Sequence, residues 1–239
     1  ISFAEALQHF QSAELSESRD KLQAPQRRGI LAALLRCLRA SPRLRPQLRR
    51  EQQLALAMAQ CALDDSEWVH MRILQTIYQQ LTRSRLGCPR YGAHWEELGF
   101  QGRRGSSPLP RPLPKTHSNL PWSSPAPSWL PHVSQLGLLN AGILVVFQNF
   151  PFCIMSVNIT RIVLQALREE RLSRECNRRQ QVIGVLNELY AAAFLRLSRL
   201  WRQQHGTVAN AGSFLKELES STKKKPRQLL KSLEAYLSH

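Results

Sequence analysis

VIGVLNELYAAAFLRLSRLW, Val182 to Trp201, decides the fold class. Val182, Leu186, Leu189, Tyr190, Ala193, Phe194, Leu197 and Trp201 recur at three- and four-residue steps, the spacing that lines up side chains on one face of an α-helix. An apolar face of that length has to be covered by other elements. Gly206 ends the run. Upstream, Ile159, Ile162, Val163, Ala166 and Leu167 form a second stripe of the same kind. Downstream, Phe214, Leu215 and Leu218 mark a short helix, and Pro226 starts a final one carrying Leu229, Leu230, Leu233 and Leu237.

The first hundred residues carry the same periodicity. Ser2 and Glu5 have capping-box spacing, in which each side chain serves a backbone N–H that the first helical turn leaves free. Ile30, Leu31, Leu34, Leu35 and Leu38 predict a helix that Ser41 and Pro42 stop. A further helix is expected from about Leu44 to Leu63. Asp64 and Glu67 stand where they could cap a third, whose apolar face is Val69, Ile73, Ile77 and Leu81, flanked by Trp68, Leu74 and Tyr78. No alternation of useful length predicts strands, and no internal repeat is present. The expected class is all-α, a helical bundle or array interrupted by a proline-rich irregular insert.

That insert is compositional. Residues 103–150 hold eight of the fourteen prolines and no acidic residue. Proline donates to neither helix nor sheet and restricts the residue before it, so Ser107 to Pro131 is expected to be an extended linker. Pro108, Pro110, Pro112 and Pro114 lack the three-residue register of a proline-helix ligand. The apolar run Leu136 to Phe147 would span only about 18 Å as a helix, short of a hydrocarbon core of about 30 Å. The chain opens on Ile1, as a fragment or processed piece would, and has no basic-then-apolar leader.

A net charge of +16 favours anionic partners. No zinc-finger, RNA-recognition or helix-turn-helix pattern accompanies it, so nucleic acid is not expected. Arg27-Arg28, Arg49-Arg50, Arg178-Arg179 and Lys223-Lys224-Lys225 would serve weak contact with acidic membranes, or form an ordinary solvated face. The five cysteines are dispersed, with no Cys-x-x-Cys pair, and read as reduced cytosolic thiols. Cys88 and His94 lack a second ligand pair, so no metal is expected. Phosphate loops, dinucleotide fingerprints and nucleophile elbows are absent from the sequence, and no cofactor is expected.

The most distinctive stretch is CPRYGAHWEELGFQG, Cys88 to Gly102. Taken by themselves, Trp95 and Phe100 beside Gly92, Gly99 and Gly102 describe a helix-to-loop corner anchored by two aromatic rings. W-E-x-x-G-F-Q-G also resembles the hallmark of the ELMO domain family. FPFCIMSVNITRIVLQALREERLSRECN, Phe150 to Asn177, resembles the same domain further along, as do the helix through Trp201 and the tail LKELESSTKKKPRQLLKSLEAYL. The likeness covers about the first hundred and last ninety residues. It implies an N-terminal helical extension at 1–68 and an ELMO domain at 69–226. That domain would be family-like at 69–102 and 150–226, divergent at 103–149, and followed by a C-terminal helix at 227–239.

The resemblance implies a GTPase activator or regulator acting on Arf and Arf-like small GTPases, a regulator of enzymes and not itself an enzyme. Trp95, Glu96, Gly99, Phe100, Gln101 and Gly102 would form its partner-binding or structural signature. The family pattern continues G-F-Q-G-x-x-P-x-T-D-x-R-G, and its arginine is required for activation. Here the chain reads RRGSSPLPRPLP, and Pro110 occupies the arginine register. Arg103 and Arg104 come too early and Arg111 one place late, so no catalytic residue is assigned. The abrupt, acid-free replacement has the look of a splice variant or translated non-coding sequence. The alternative function is a non-catalytic interaction or scaffold protein in small-GTPase, cytoskeletal or membrane-traffic signalling. The expected location is cytoplasmic, in association with cytoskeleton or membranes.

Overall fold

The computed structural model describes residues 1–12, 42–61, 64, 66–87, 89, 94 and 152–238. The predicted helix through Ile30 and Leu38, the proline-rich linker and the run Leu136 to Phe147 lie outside the described residues. Among the described residues there are eight α-helices and no strands, which bears out the all-α class. They are α1 (Phe3–Ser12), α2 (Arg49–Met58), α3 (Trp68–Thr82), α4 (Phe152–Arg168), α5 (Ser173–Arg179), α6 (Ile183–Gln203), α7 (Ala211–Lys224) and α8 (Pro226–Leu237).

Helix α6 is the central post. It packs on α8, α4 and α7, and also meets α5 and α2. Its stripe is buried throughout, with Leu189, Tyr190, Ala193 and Leu197 fully inaccessible. The α4 stripe faces it, and Ile159, Ile162, Val163, Ala166 and Leu167 are all buried. Leu218 and Phe214 of α7 and Leu229, Leu230 and Leu233 of α8 close the same core. Leu237 is the exception, half exposed at the end of α8. The chain turns through His205, at φ 46°, and the next residue is Gly206 because nothing larger fits there. Its N–H donates to the Trp201 carbonyl at 2.8 Å, and an added Cβ would lie 2.4 Å from the indole ring.

Helix α1 packs on α2 and α3. The capping box forms as its spacing predicts. Ser2 N–H donates to the Glu5 carboxylate at 2.9 Å, and Glu5 N–H donates to Ser2 Oγ at 3.2 Å. The Ser2 N–H, with the Ser2 hydroxyl donating to the same carboxylate at 3.2 Å, holds the Glu5 carboxyl below its usual range.

Several expectations change. The helix expected from about Leu44 to Leu63 is shorter. Pro46 forces Arg45 into an extended conformation, so a 3₁₀ turn at Pro46–Leu48 precedes α2, which stops at Met58. Glu67, the residue before α3, does not cap it through its side chain. Asp64 accepts from Ser66 N–H at 2.9 Å and Ser66 Oγ at 2.7 Å, closing a local turn. Trp68 is exposed and carries the Arg72 guanidinium 5.3 Å from its ring centre. The short helix through Phe214 runs 14 residues, and α5 is an additional element.

Candidate functional site

Helix α3 leads into the family-like signature. Val69, Ile73, Leu74 and Ile77 bury one face, and Tyr78 sits beside it, half-buried. The helix ends at Arg83, whose φ of 58° reverses the chain. Hydroxyl bonds then carry the backbone away: Ser84 N–H donates to Thr82 Oγ1 and Leu86 N–H to Ser84 Oγ, each at 3.1 Å. The chain returns at His94. Its ring meets Tyr78 edge-on at 5.3 Å, and its Nε2 lies 3.2 Å from the Pro89 carbonyl. The residue immediately before Trp95 is thereby fixed to the last turns of α3. Trp95, Glu96, Gly99, Phe100, Gln101 and Gly102, and likewise Arg103, Arg104 and Arg111, lie outside the described residues.

The second family-like block is joined to the N-terminal part by polar clamps that sequence reasoning missed. Asn177, in α5, accepts from Arg45 N–H at 2.9 Å and donates to the Arg43 carbonyl at 2.8 Å. Glu51 of α2 accepts from Ile183 N–H at 2.8 Å, at the first turn of α6. Gln52 donates to the Leu167 carbonyl near the end of α4 at 3.2 Å. These bonds span 115 to 134 residues of chain. A side chain that serves distant backbone carries no spacing motif, so no pattern in the sequence could have singled out these residues.

Ion pairs tie α5 to its neighbours. Arg179 bridges Glu188 of α6 and Glu234 of α8, the latter at 2.9 Å. Glu175 is buried and takes both Nε and Nη2 of Arg178, at 3.0 and 2.8 Å. Neither Cys61 nor Cys176 has a nucleophile's setting. Burial pushes the Cys176 thiol up to about 12 and raises that of Cys61. No group of three or more ligating side chains forms a metal site among the described residues. No helix among them is long and apolar enough to cross a membrane. The arrangement supplies packed helical surfaces and holds His94, the residue before Trp95, against Tyr78.

Known proteins align with this chain along its whole length. A sequence profile described as the ELMO/CED-12 family matches residues 53–108 and 127–215. The interval between the two matched segments, 109–126, falls inside the stretch 103–149, so matched residues reach into both edges of that stretch. The chain is 49% identical over 244 residues to ELMO domain-containing protein 3 of Bos taurus. It is 48% identical to the proteins of that name from Homo sapiens and Mus musculus. Each alignment covers 100% of this chain and 62% of the relative, so the chain spans about three-fifths of the length of the curated relatives it matches. No solved structure matches it.

Proposed function

The chain belongs to the ELMO/CED-12 family, and from that premise we propose that it engages an Arf-family small GTPase as a regulator without supplying an arginine finger. The family is linked to small-GTPase signalling in general. The observation that carries the finer reading is the retained W-E-x-x-G-F-Q-G at Trp95 to Gly102 followed by Pro110 in the register of the activating arginine.

A guanidinium against bound GTP neutralises charge that develops on the phosphoryl oxygens. Such a finger accelerates hydrolysis by about 10³ to 10⁵, roughly 4 to 7 kcal/mol of barrier. Proline carries no charge and cannot replace it. The chain therefore binds the GTP-loaded partner, with the segment that carries Trp95, Phe100 and Gln101 as its docking region, and leaves hydrolysis near the intrinsic rate. Its cationic surface suits a partner that works at membranes, and the site of action is the cytoplasm, at membranes or cytoskeleton.

Two measurements on one sample test this reading: binding of a GTP-loaded Arf-like GTPase, and single-turnover GTP hydrolysis with and without the chain. Binding without acceleration is the expected pair of results. Acceleration that disappears on Arg103→Ala or Arg104→Ala would restore a catalytic arginine and overturn the non-activating reading. Absence of binding to any Arf or Arf-like GTPase would remove the partner class.

A further inference from the structure

A cleft of about 620 Å³ opens where the loop between α4 and α5 faces the joint between α7 and α8. Arg171 and Arg174 stand on one wall, and Lys223, Lys224, Lys225 and Arg227 on the other. Two carboxylates, Glu170 and Glu175, share the lining with these six cations.

The carboxylates do not neutralise the cleft. Glu175 is already taken by Arg178 at 2.8 Å, with Arg227 Nε more distant at 3.8 Å. Glu169, behind the rim, holds Lys223 at 2.9 Å and lies 3.6 Å from Arg171 Nε, which has no hydrogen-bond partner. Arg174, Lys224 and Lys225 are exposed and make no ion pair among the described residues. Lysines at the end of α7 suit the helix dipole. That accounts for Lys223 and Lys224 on their own helix, but not for arginines from a distant segment converging on the same hollow. Arg174, Lys224 and Lys225 outnumber the one lining carboxylate without an ion pair among the described residues, Glu170, and leave a positive potential that a concavity focuses on an anion.

We propose that this cleft binds a multiply phosphorylated anion, such as an inositol phosphate headgroup, with Arg174, Lys224 and Lys225 as its principal contacts. Its volume falls within the range of about 300 to 1,000 Å³ typical of small-ligand sites. The planar forks of Arg171 and Arg174 face the point charges of the lysines, so separate phosphates can be met from both walls. Apart from charged residues the lining is only Pro42, Ser220 and Pro226, with none of the aromatic or aliphatic anchors that a peptide ligand would need. Sequence alone offered Lys223-Lys224-Lys225 as one basic run among several, and the opposing arginines come only from the fold. The proposal stands independently of the GTPase reading.

Calorimetry with inositol trisphosphate, and co-sedimentation with phosphatidylcholine vesicles with and without phosphatidylinositol bisphosphate, test it on the whole chain. Binding should weaken as salt rises. The triple substitution Arg174→Glu, Lys224→Glu, Lys225→Glu should weaken it about tenfold or more. A charge-matched control at exposed positions elsewhere, Arg72→Glu, Arg83→Glu, Arg85→Glu, should leave most of it intact. All six side chains are exposed, so thermal melts should agree across the set. If the cleft triple variant melts early, Lys224→Gln, Lys225→Gln should still weaken binding. Soluble headgroup and doped vesicles binding alike would identify a free phosphate ligand as sufficient. Binding to doped vesicles alone would place the headgroup in a membrane, and either result supports the cleft. Equal loss in both triple variants, equal binding of a glutamate-rich peptide, or no binding to either probe at low salt would overturn it.

Discussion

The helices before the insert and those after it share one apolar core but are tied to it differently. Residues 152–238 form a continuous apolar core in which α6 is surrounded by α4, α5, α7 and α8. The described N-terminal helices reach that core through a narrower set of contacts. Phe10, Leu48, Leu54, Met58, Val69 and Ile73 contribute apolar surface, and Asn177, Glu51 and Gln52 pin the backbone by hydrogen bonds. Helix α3 is joined to its neighbours chiefly through α1. Apolar burial scales with area and is spread over many side chains, whereas a clamp can be lost by changing one residue. The later helices, packed around α6, are therefore the scaffold, and the earlier ones, which lead toward His94, are expected to open first.

The largest effect should come from the scaffold. Leu189→Ala removes a fully buried side chain from the middle of α6 and should cost about 2 to 5 kcal/mol. Chemical denaturation should register that cost in both regions together, because α6 also contacts α2. A variant in which α1–α3 melts first while α4–α8 keeps its stability would break the assignment of α6 as the shared post.

A smaller and more local effect is expected at the clamp. Asn177→Ala removes the donor and acceptor that hold Arg43 and Arg45, at a cost of about 1 to 3 kcal/mol. Hydrogen exchange should rise across the Pro46–Leu48 turn and α2 while α6 stays protected. Uniform loss of protection through α6 would mean that the two regions open as one unit and that the comparison draws its boundary in the wrong place.

The same contrast explains what the sequence made legible. The α4 and α6 stripes could be read because long amphipathic helices repeat one face many times, and every residue assigned to them is buried. The Ser2–Glu5 box could be read because both partners lie within one turn. Boundaries fared worse. Helices α4 and α5 are followed by Glu170 and Gln180, each in the left-handed conformation at φ 59° and 54°, where glycine is the usual mark. The break between α4 and α6 therefore carried no punctuation, and α5 went unseen. Asp64 has a capping residue's chemistry, and its carboxylate closes a turn on Ser66 that no spacing rule marked. Of the candidate site, the family-like residues Trp95 to Gly102 were legible as a motif. The Asn177 clamp and the cationic cleft were not, since each depends on side chains brought together only by packing.

The smallest predicted effect falls on the pair α1–α3 and is set by pH. His70 is buried against Phe10, with the rings stacked at 5.7 Å, and His9 lies edge-on at 5.9 Å. Burial lowers the pKa of His70 below 6.5 and nearby His9 adds to the shift, outweighing the opposing pull of Glu67 and Asp64. The geometry agrees. Nδ1 accepts the Asp64 N–H at 3.1 Å, which requires an unprotonated nitrogen there, and Nε2 faces Cys61 Sγ at 4.0 Å. A depressed pKa means that the folded form prefers the neutral ring. The stabilisation is fully present above the unfolded value and is lost as pH falls through 6.5 toward the lower folded value. Acidification should therefore raise exchange at α1 and the start of α3 before it touches α6. His70→Gln, which has no proton to gain, should flatten that response. If α1 keeps its protection between about pH 8 and about pH 5, the ring is not a strained contact, and the N-terminal helices are fastened more firmly than the contrast with α6 implies.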